Sequence, residues 1–246
     1  MMKTHGWLRS FGSAALGALG FLSFFALGAA IGPGLLPTND SRTVAEFHKL
    51  FYFRAATTWN NTTWLGVPVE KCPMDLVTYQ EILYESRPDL LVEAGTFKGG
   101  SALFFASVMD LLNHGRVITI DITDRGRPPH PRITYLRGFS TSPDIVATVK
   151  NAITPSERVM VVLDSDHSAE NVRKELRTYG PLVTVGAYLV VEDTNINGHP
   201  VLTGYGPGPA EALEDFLKTD SGFVRDPSRE RFLLTFNPGG FLKKTR

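Results

Sequence analysis

The chain is poor in several things, and each shortage removes a class of protein. It has one cysteine, Cys72, in 246 residues. No intramolecular disulfide can form, no CxxC redox or zinc pair exists, and nothing marks a disulfide-stapled secreted fold. Cys72 therefore reads as a packing residue rather than a reactive thiol. An excess of charge is lacking too, since 25 Lys and Arg balance 25 Asp and Glu. Binding a phosphate backbone calls for a basic surplus, so no nucleic acid is expected as a partner. After residue 40 there is no internal repeat and no low-complexity tract.

Charge is missing altogether from Phe11 to Thr38, where Ala, Gly, Leu and Phe dominate. A helix needs about 20 apolar residues to cross a bilayer, and Phe11 to Ile31 supplies 21. Three readings stand: a retained single-pass anchor, a signal peptide cleaved near Gly28-Ala29-Ala30, and a buried or peripheral helix. The anchor is the expectation adopted. Gly32–Asn39 reads as a linker, which divides the chain into an anchor or signal segment with its linker, residues 1–37, and a domain, residues 38–246. Asn39, Asn60 and Asn61 each open an N-x-S/T tripeptide, which matters only on the lumenal side of a membrane.

The rest of the chain has an order. Helical patterns occupy 41–56 and 73–88, the second stopping at Pro88. Between them, 58–73 (TWNNTTWLGVPVEKCP) is a proline-broken loop, over a site or simply at the surface. Short apolar strands then alternate with helices: strands at 90–95, 116–122, 132–138, 158–164 and 187–193, helices at 101–115, 142–153, 168–183 and 207–220. Segments 222–226 and 231–244 close the chain as an antiparallel hairpin. This alternation predicts an α/β, doubly wound Rossmann-like sheet of about seven mostly parallel strands, with helices on both faces and an antiparallel C-terminal hairpin, preceded by the membrane helix.

In such sheets ligands bind beyond the carboxyl ends of the strands. The first end reads Glu93-Ala-Gly95-Thr96-Phe97-Lys98-Gly99-Gly100-Ser101. Its glycines let a ligand approach the backbone, and a helix start offers free N–H groups. The spacing is not GxGxxG, which argues against a dinucleotide pyrophosphate. The second strand ends at Asp121, 22 residues after Gly99. An acid about 20 residues past a glycine turn can accept hydrogen bonds from both ribose hydroxyls. Turn and acid together predict a nucleoside-containing cofactor. The fourth and fifth ends, Asp164-Ser165-Asp166-His167 and Glu192-Asp193, bring three carboxylates together. Asp164, Glu192 and Asp193 would repel each other without a cation, and hard oxygen donors suit Mg²⁺ or Mn²⁺. A helix cap is the plainer explanation for any one of these acids. His167 is a candidate base, with a structural hydrogen-bonding role as the alternative. The loop 195–209, rich in glycine and proline, has the composition of a lid.

These motifs, EAGTFKGGSALFFAS, VVLDSDHS, VVEDTNINGHPV and GYGPGPAEAL, resemble the cephalosporin hydroxylase / rhamnosyl O-methyltransferase family over about Trp59 to Phe241. The resemblance implies the S-adenosylmethionine-dependent methyltransferase fold. It implies Glu93, Gly95 and Ser101, with the intervening Thr96, Phe97 and Gly99, around S-adenosylmethionine, Asp121 on the ribose and Ser140 near the adenine. It also implies magnesium on Asp164, Glu192 and Asp193, with Asp164 and His167 at the reacting centre. Catechol-type enzymes, similar in metal arrangement, carry a lysine where this chain has His167. The function implied is magnesium-dependent methylation of a hydroxyl on a sugar or glycolipid-type acceptor, by a domain anchored on the cytosolic face, where the cofactor is made. The alternatives are a hydroxylase-type component, which the absence of any HxD/E pair disfavours, and a non-catalytic membrane-tethered cofactor-fold protein. A homo-oligomer is left open.

Overall fold

A computed structural model describes residues 40–246. The chain divides into two compact units, residues 1–43 and 44–246, and the account below concerns the second. Helix α1, Asp40–Phe53, leads into a two-stranded hairpin, β1 (Thr63–Trp64) and β2 (Val67–Pro68). Helix α2 spans Pro73–Ser86, with proline in the first turn, where no intrahelical donor is lost.

The alternating unit follows: β3 (Leu90–Ala94), α3 (Gly100–Leu111), β4 (Arg116–Asp121), β5 (Ile133–Arg137), α4 (Pro143–Ala152), β6 (Val159–Leu163), α5 (Ala169–Tyr179), β7 (Tyr188–Val191) and α6 (Pro209–Thr219). Strands β8 (Phe223–Arg225) and β9 (Phe241–Lys244) end the chain. Seven strands form one sheet in the order β5-β4-β3-β6-β7-β9-β8. The first five are parallel, β9 runs antiparallel to β7, and β8 runs antiparallel to β9. Every residue of β3, β6 and β7 is buried, as a parallel strand covered on both faces must be.

Strand periodicity splits the core. Val92, Val161 and Leu189 face the layer of α4, α5 and α6, with Val172, Leu176 and Leu213. Leu91, Val162 and Val190 face α2 and α3, with Tyr79, Ile82 and Phe105. From β3 the chain winds outward through β4 and β5, then crosses back to β6. The order therefore reverses between β3 and β6, and a crevice opens there.

Two expectations need correction. Residues 231–240 are not a strand. Leu234 and Phe236 instead pack with Cys72 against Phe51, Tyr52 and Trp59, and pairing with β8 begins only after Pro238-Gly239-Gly240. The membrane-anchored localisation is also corrected: among the described residues no helix is long and apolar enough to cross a membrane. The segment Phe11–Ile31, which prompted that expectation, lies outside the described residues.

Candidate active site

Four acids share one pleat parity. Glu93, Asp121, Asp164 and Glu192 each fall two residues, or an even number, after a strand residue facing α2 and α3, so all four project toward that layer. Register brings their strands side by side: Glu93 pairs with Val162, and Val162 with Val190. At the carboxyl edge lies a cavity of about 680 Å³.

Its wall beside β3 is the turn after Ala94. Gly95 has φ +102°, and a Cβ there would lie 1.7 Å from the Asp164 carbonyl oxygen, so no other residue fits. Thr96, Phe97 and Ser101 line the cavity. Gly99 (φ +83°) shapes the turn from outside, and Glu93 sits behind it, fully buried. Glu93 Oε2 accepts from Thr119 Oγ1 at 2.6 Å, whereas Oε1 is buried without a partner among the described residues. Burial pushes this carboxyl up to about 7.

Asp121 lines the cavity at the end of β4. Its Oδ2 accepts from the Phe97 N–H at 2.8 Å, and its Oδ1 from Thr123 N and Oγ1 at 2.8 and 2.9 Å. Burial alone would raise its pKa, but these donors outweigh it and hold the carboxyl below its usual value. Ser140, after β5, lines the far end of the cavity.

Asp164, His167 and Asp193 also line the cavity. One donor atom from each lies within 4.8 Å of the other two, and His167 Nε2 is 3.1 Å from Asp193 Oδ2. Asp193 gets there by a left-handed turn, φ +53°. Glu192 is placed differently, behind the wall. Lys71 Nζ lies 2.6 Å from both Glu192 Oε2 and Asp164 Oδ2, and the Tyr79 hydroxyl donates to Glu192 Oε1 at 2.6 Å. Lys71 is only 4% exposed. Burial would lower its pKa, but Asp164 and Glu192 raise it further, and it stays an ammonium. Asp164 and Glu192 share this one ammonium while Asp193 has His167 beside it, and burial leaves all three acids above their ordinary values.

Lys71 is the residue the sequence reading passed over. It lies in the loop between β2 and α2, where Val69 and Cys72 are buried on either side. A lysine among buried neighbours, one residue from a helix start, was the available signal. The same loop supplies Val69 and Glu70 to the cavity, and Trp59, which precedes β1, joins them. Cys72 is fully buried and its thiol is pushed up to about 12, an inert packing group.

Comparison with known proteins now decides the family. Residues 56–245 match Rhamnosyl O-methyltransferase/CmcI. A Rhamnosyl O-methyltransferase of Mycobacterium leprae (strain TN) is 41% identical over 216 residues, 85% of this chain and 93% of its own. The chain belongs to this family. A rhamnosyl O-methyltransferase/CmcI member is an S-adenosylmethionine-dependent O-methyltransferase, and so is this protein. Among solved structures, CmcI with Mg and SAM aligns with a TM-score of 0.58 at 21% identity, over 76% of this chain and 78% of that one. MycE, in complex with Mg, SAH and mycinamycin VI, aligns at 0.53 and 16% identity, over 99% and 68%. At those identities they show the fold, a Rossmann-like methyltransferase sheet. Against that fold, the candidate site is an acid-rich crevice at the reversal point of the sheet, with Lys71 as an internal cation.

Proposed function

We propose that this methyltransferase moves the methyl group of S-adenosylmethionine to a hydroxyl of a rhamnosyl or related sugar, with magnesium held at the strand-end acids. The observation that carries the reading is one cavity lined by Asp121 and also by Asp164, His167 and Asp193. A nucleoside-bearing donor and a cation-oriented hydroxyl can share it.

The residues fit both groups. The Gly95 turn lets a ligand reach the backbone, and Asp121, with three of its about four lone-pair sites taken, keeps one on Oδ2 for a ligand hydroxyl. Asp164 and Asp193 are hard oxygen donors within 4.8 Å of each other, and acids there outnumber internal cations. One histidine with two carboxylates is not the two-histidine set of an iron oxygenase. When bound, the two groups supply a transferable sulfonium methyl and a Lewis acid that lowers the acceptor hydroxyl's pKa.

The chain does the rest. Thr96, Phe97 and Ser101 hold the cofactor between Gly95 and Asp121, while Glu93 fixes Thr119 and Gly99 sets the turn. Asp121 takes the ribose and Ser140 the adenine. Asp164 and Asp193 would hold the ion, while Glu192 is engaged by Lys71 and Tyr79. His167 takes the acceptor's proton. Burial pulls its imidazole down, but Asp193, Asp164 and Glu192 outweigh that and favour imidazolium. It therefore serves as a base only when those acids are balanced by positive charge. On the acceptor side Tyr52 and Trp59, stacked at 5.4 Å, join Leu202 and Tyr205, giving the aromatic faces on which a sugar ring packs.

The test is methyl transfer from labelled S-adenosylmethionine to an L-rhamnosyl glycoside by the purified chain. Transfer should need a divalent cation, stop on chelation, and fall about 100-fold or more in Asp164→Ala. Transfer indifferent to both would overturn the metal reading, and transfer only to hydroxyls other than those of sugars would overturn the acceptor.

A further inference from the structure

The inner face of α5 carries Val172, Glu175, Leu176 and Tyr179, all buried. Three of the four suit the i, i+3, i+4, i+7 stripe of a core-facing helix, and the carboxylate does not. Glu175 is fully buried in this stripe, where an unpaired acid is costly. Its Oε1 accepts from two serine hydroxyls that line the cavity, Ser140 Oγ and Ser165 Oγ, the latter at 2.6 Å. Its Oε2 is buried without a partner among the described residues.

A hydroxyl has one hydrogen to give. Both serines spend theirs on Glu175, so what they turn to the cavity is lone pairs. Asn171 completes the wall in the same sense. Its Nδ2 donates to Ser165 Oγ at 3.0 Å and to the Asp166 carbonyl at 3.2 Å, which uses both amide hydrogens. Only its carbonyl oxygen is left for a ligand. This holds whether Glu175 is ionised or carries a proton on Oε2, because Oε1 is the acceptor either way. The wall is thus rich in acceptors and poor in donors, and the exposed side chains of Ile122 and Phe139 flank it. A flat heterocycle seated there must present a donor at its edge.

We propose that Glu175 is a positioning residue that sets the hydrogen-bond polarity of this wall, so that the site takes a 6-aminopurine and rejects a 6-oxopurine. The inference rests on the cofactor reading above, and goes beyond it in naming the group that makes the choice of base. Adenine places an amino donor against the acceptors. Hypoxanthine places a carbonyl oxygen at that 6-position, acceptor against acceptor, with its own donor, N1–H, one ring atom away.

The experiment is calorimetric binding of S-adenosylhomocysteine and S-inosylhomocysteine to the full chain, to Glu175→Met and to Ser140→Ala. The wild type should prefer the adenosyl compound by at least about tenfold, the value of one such hydrogen bond. In Glu175→Met the serine hydrogens are released and can serve a carbonyl, so the preference should fall to about threefold or less. Ser140→Ala should weaken adenosyl binding while leaving inosyl binding unchanged. Equal binding of the two compounds by the wild type would overturn the inference, as would an undiminished preference in a folded Glu175→Met. If Glu175→Met does not fold, an unchanged preference in Ser140→Ala overturns it alone. A wild type that binds neither compound sinks the cofactor reading itself, and this inference with it.

Discussion

Asp121 and Asp164 both stand at strand ends and both face the cavity, yet the protein treats them in opposite ways. Around Asp121 the chain gathers donors: the Phe97 N–H, the Thr123 N–H and hydroxyl, and the Arg127 guanidinium at 3.4 Å. Around Asp164 it gathers more acid, Glu192 and Asp193, with only Lys71 and His167 to balance them. Both groups lose solvent, but Asp121 ends below its ordinary pKa and Asp164 above it. At Asp121 the donors outweigh burial, whereas at Asp164 burial is the largest influence and Lys71 does not offset it. The difference separates two tasks on one sheet edge. An acid held ionised by its own donors keeps a lone pair for a neutral hydroxyl. Acids in excess of their internal cations call for positive charge.

The harshest way to break this contrast is Lys71→Met. Two buried carboxylates would lose their shared ammonium, and removing one partner of a buried pair costs about 3–5 kcal/mol. Urea denaturation should show that loss, and added magnesium should restore part of it, because an ion bound only by the folded state stabilises it. A variant as stable as wild type would mean that Lys71 is not the charge that holds the acid end together.

Asp121→Ala should act at the other end and more gently. Hydrogen bonds to a charged group are worth about 1.5–3 kcal/mol, so S-adenosylmethionine should bind roughly 10- to 100-fold more weakly. Magnesium affinity, measured by calorimetry without cofactor, should not change. An equal loss in both would join the two ends into one electrostatic unit and dissolve the contrast.

Much of this was open to reading from strand periodicity. Apolar runs ending in Glu93, Asp121, Asp164 and Glu192 gave the parallel sheet and the crevice side. What periodicity cannot see is what comes from outside the periodic segments. Lys71 arrives from an irregular loop, and its importance depends on contacts with residues 93 and 121 positions away. Glu175 was hidden for the converse reason: within a clear helical pattern, one acid on the apolar stripe is easily read as surface. The stretch from Phe232 to Phe236 misled because apolar content alone does not distinguish a strand from a loop packed under a helix. Leu234 and Phe236 are buried without sheet pairing, against residues of α1.

That packing gives the smallest effect, and it sharpens the contrast from the β7 side. His48 of α1 stacks on Phe236 at 5.6 Å, and its Nε2 lies 2.9 Å from the amide of Asn195, two residues after Asp193. Burial pulls this imidazole from 6.5 down to about 4. Between those values the unfolded chain takes up a proton that the folded chain refuses. His48's contribution is therefore complete above pH 6.5 and is lost as pH falls toward 4, with a slope of at most about 1.4 kcal/mol per pH unit. Raised acids work against it, Asp164, Glu175, Glu192 and Asp193 among them. Burial raises Asp75, which accepts from the Phe236 N–H, and Glu93 to about 7 each. Each holds a proton in the folded state that the unfolded chain releases, so both add stability as pH falls through 7. The wild-type curve should thus be shallow, and only a difference isolates the histidine. His48→Phe should lose less stability than wild type between pH 6.5 and 4.5, by about 1–2 kcal/mol in paired denaturation curves. Parallel curves would show that His48 takes its proton inside the fold, and that the layer behind the acid end is open to water.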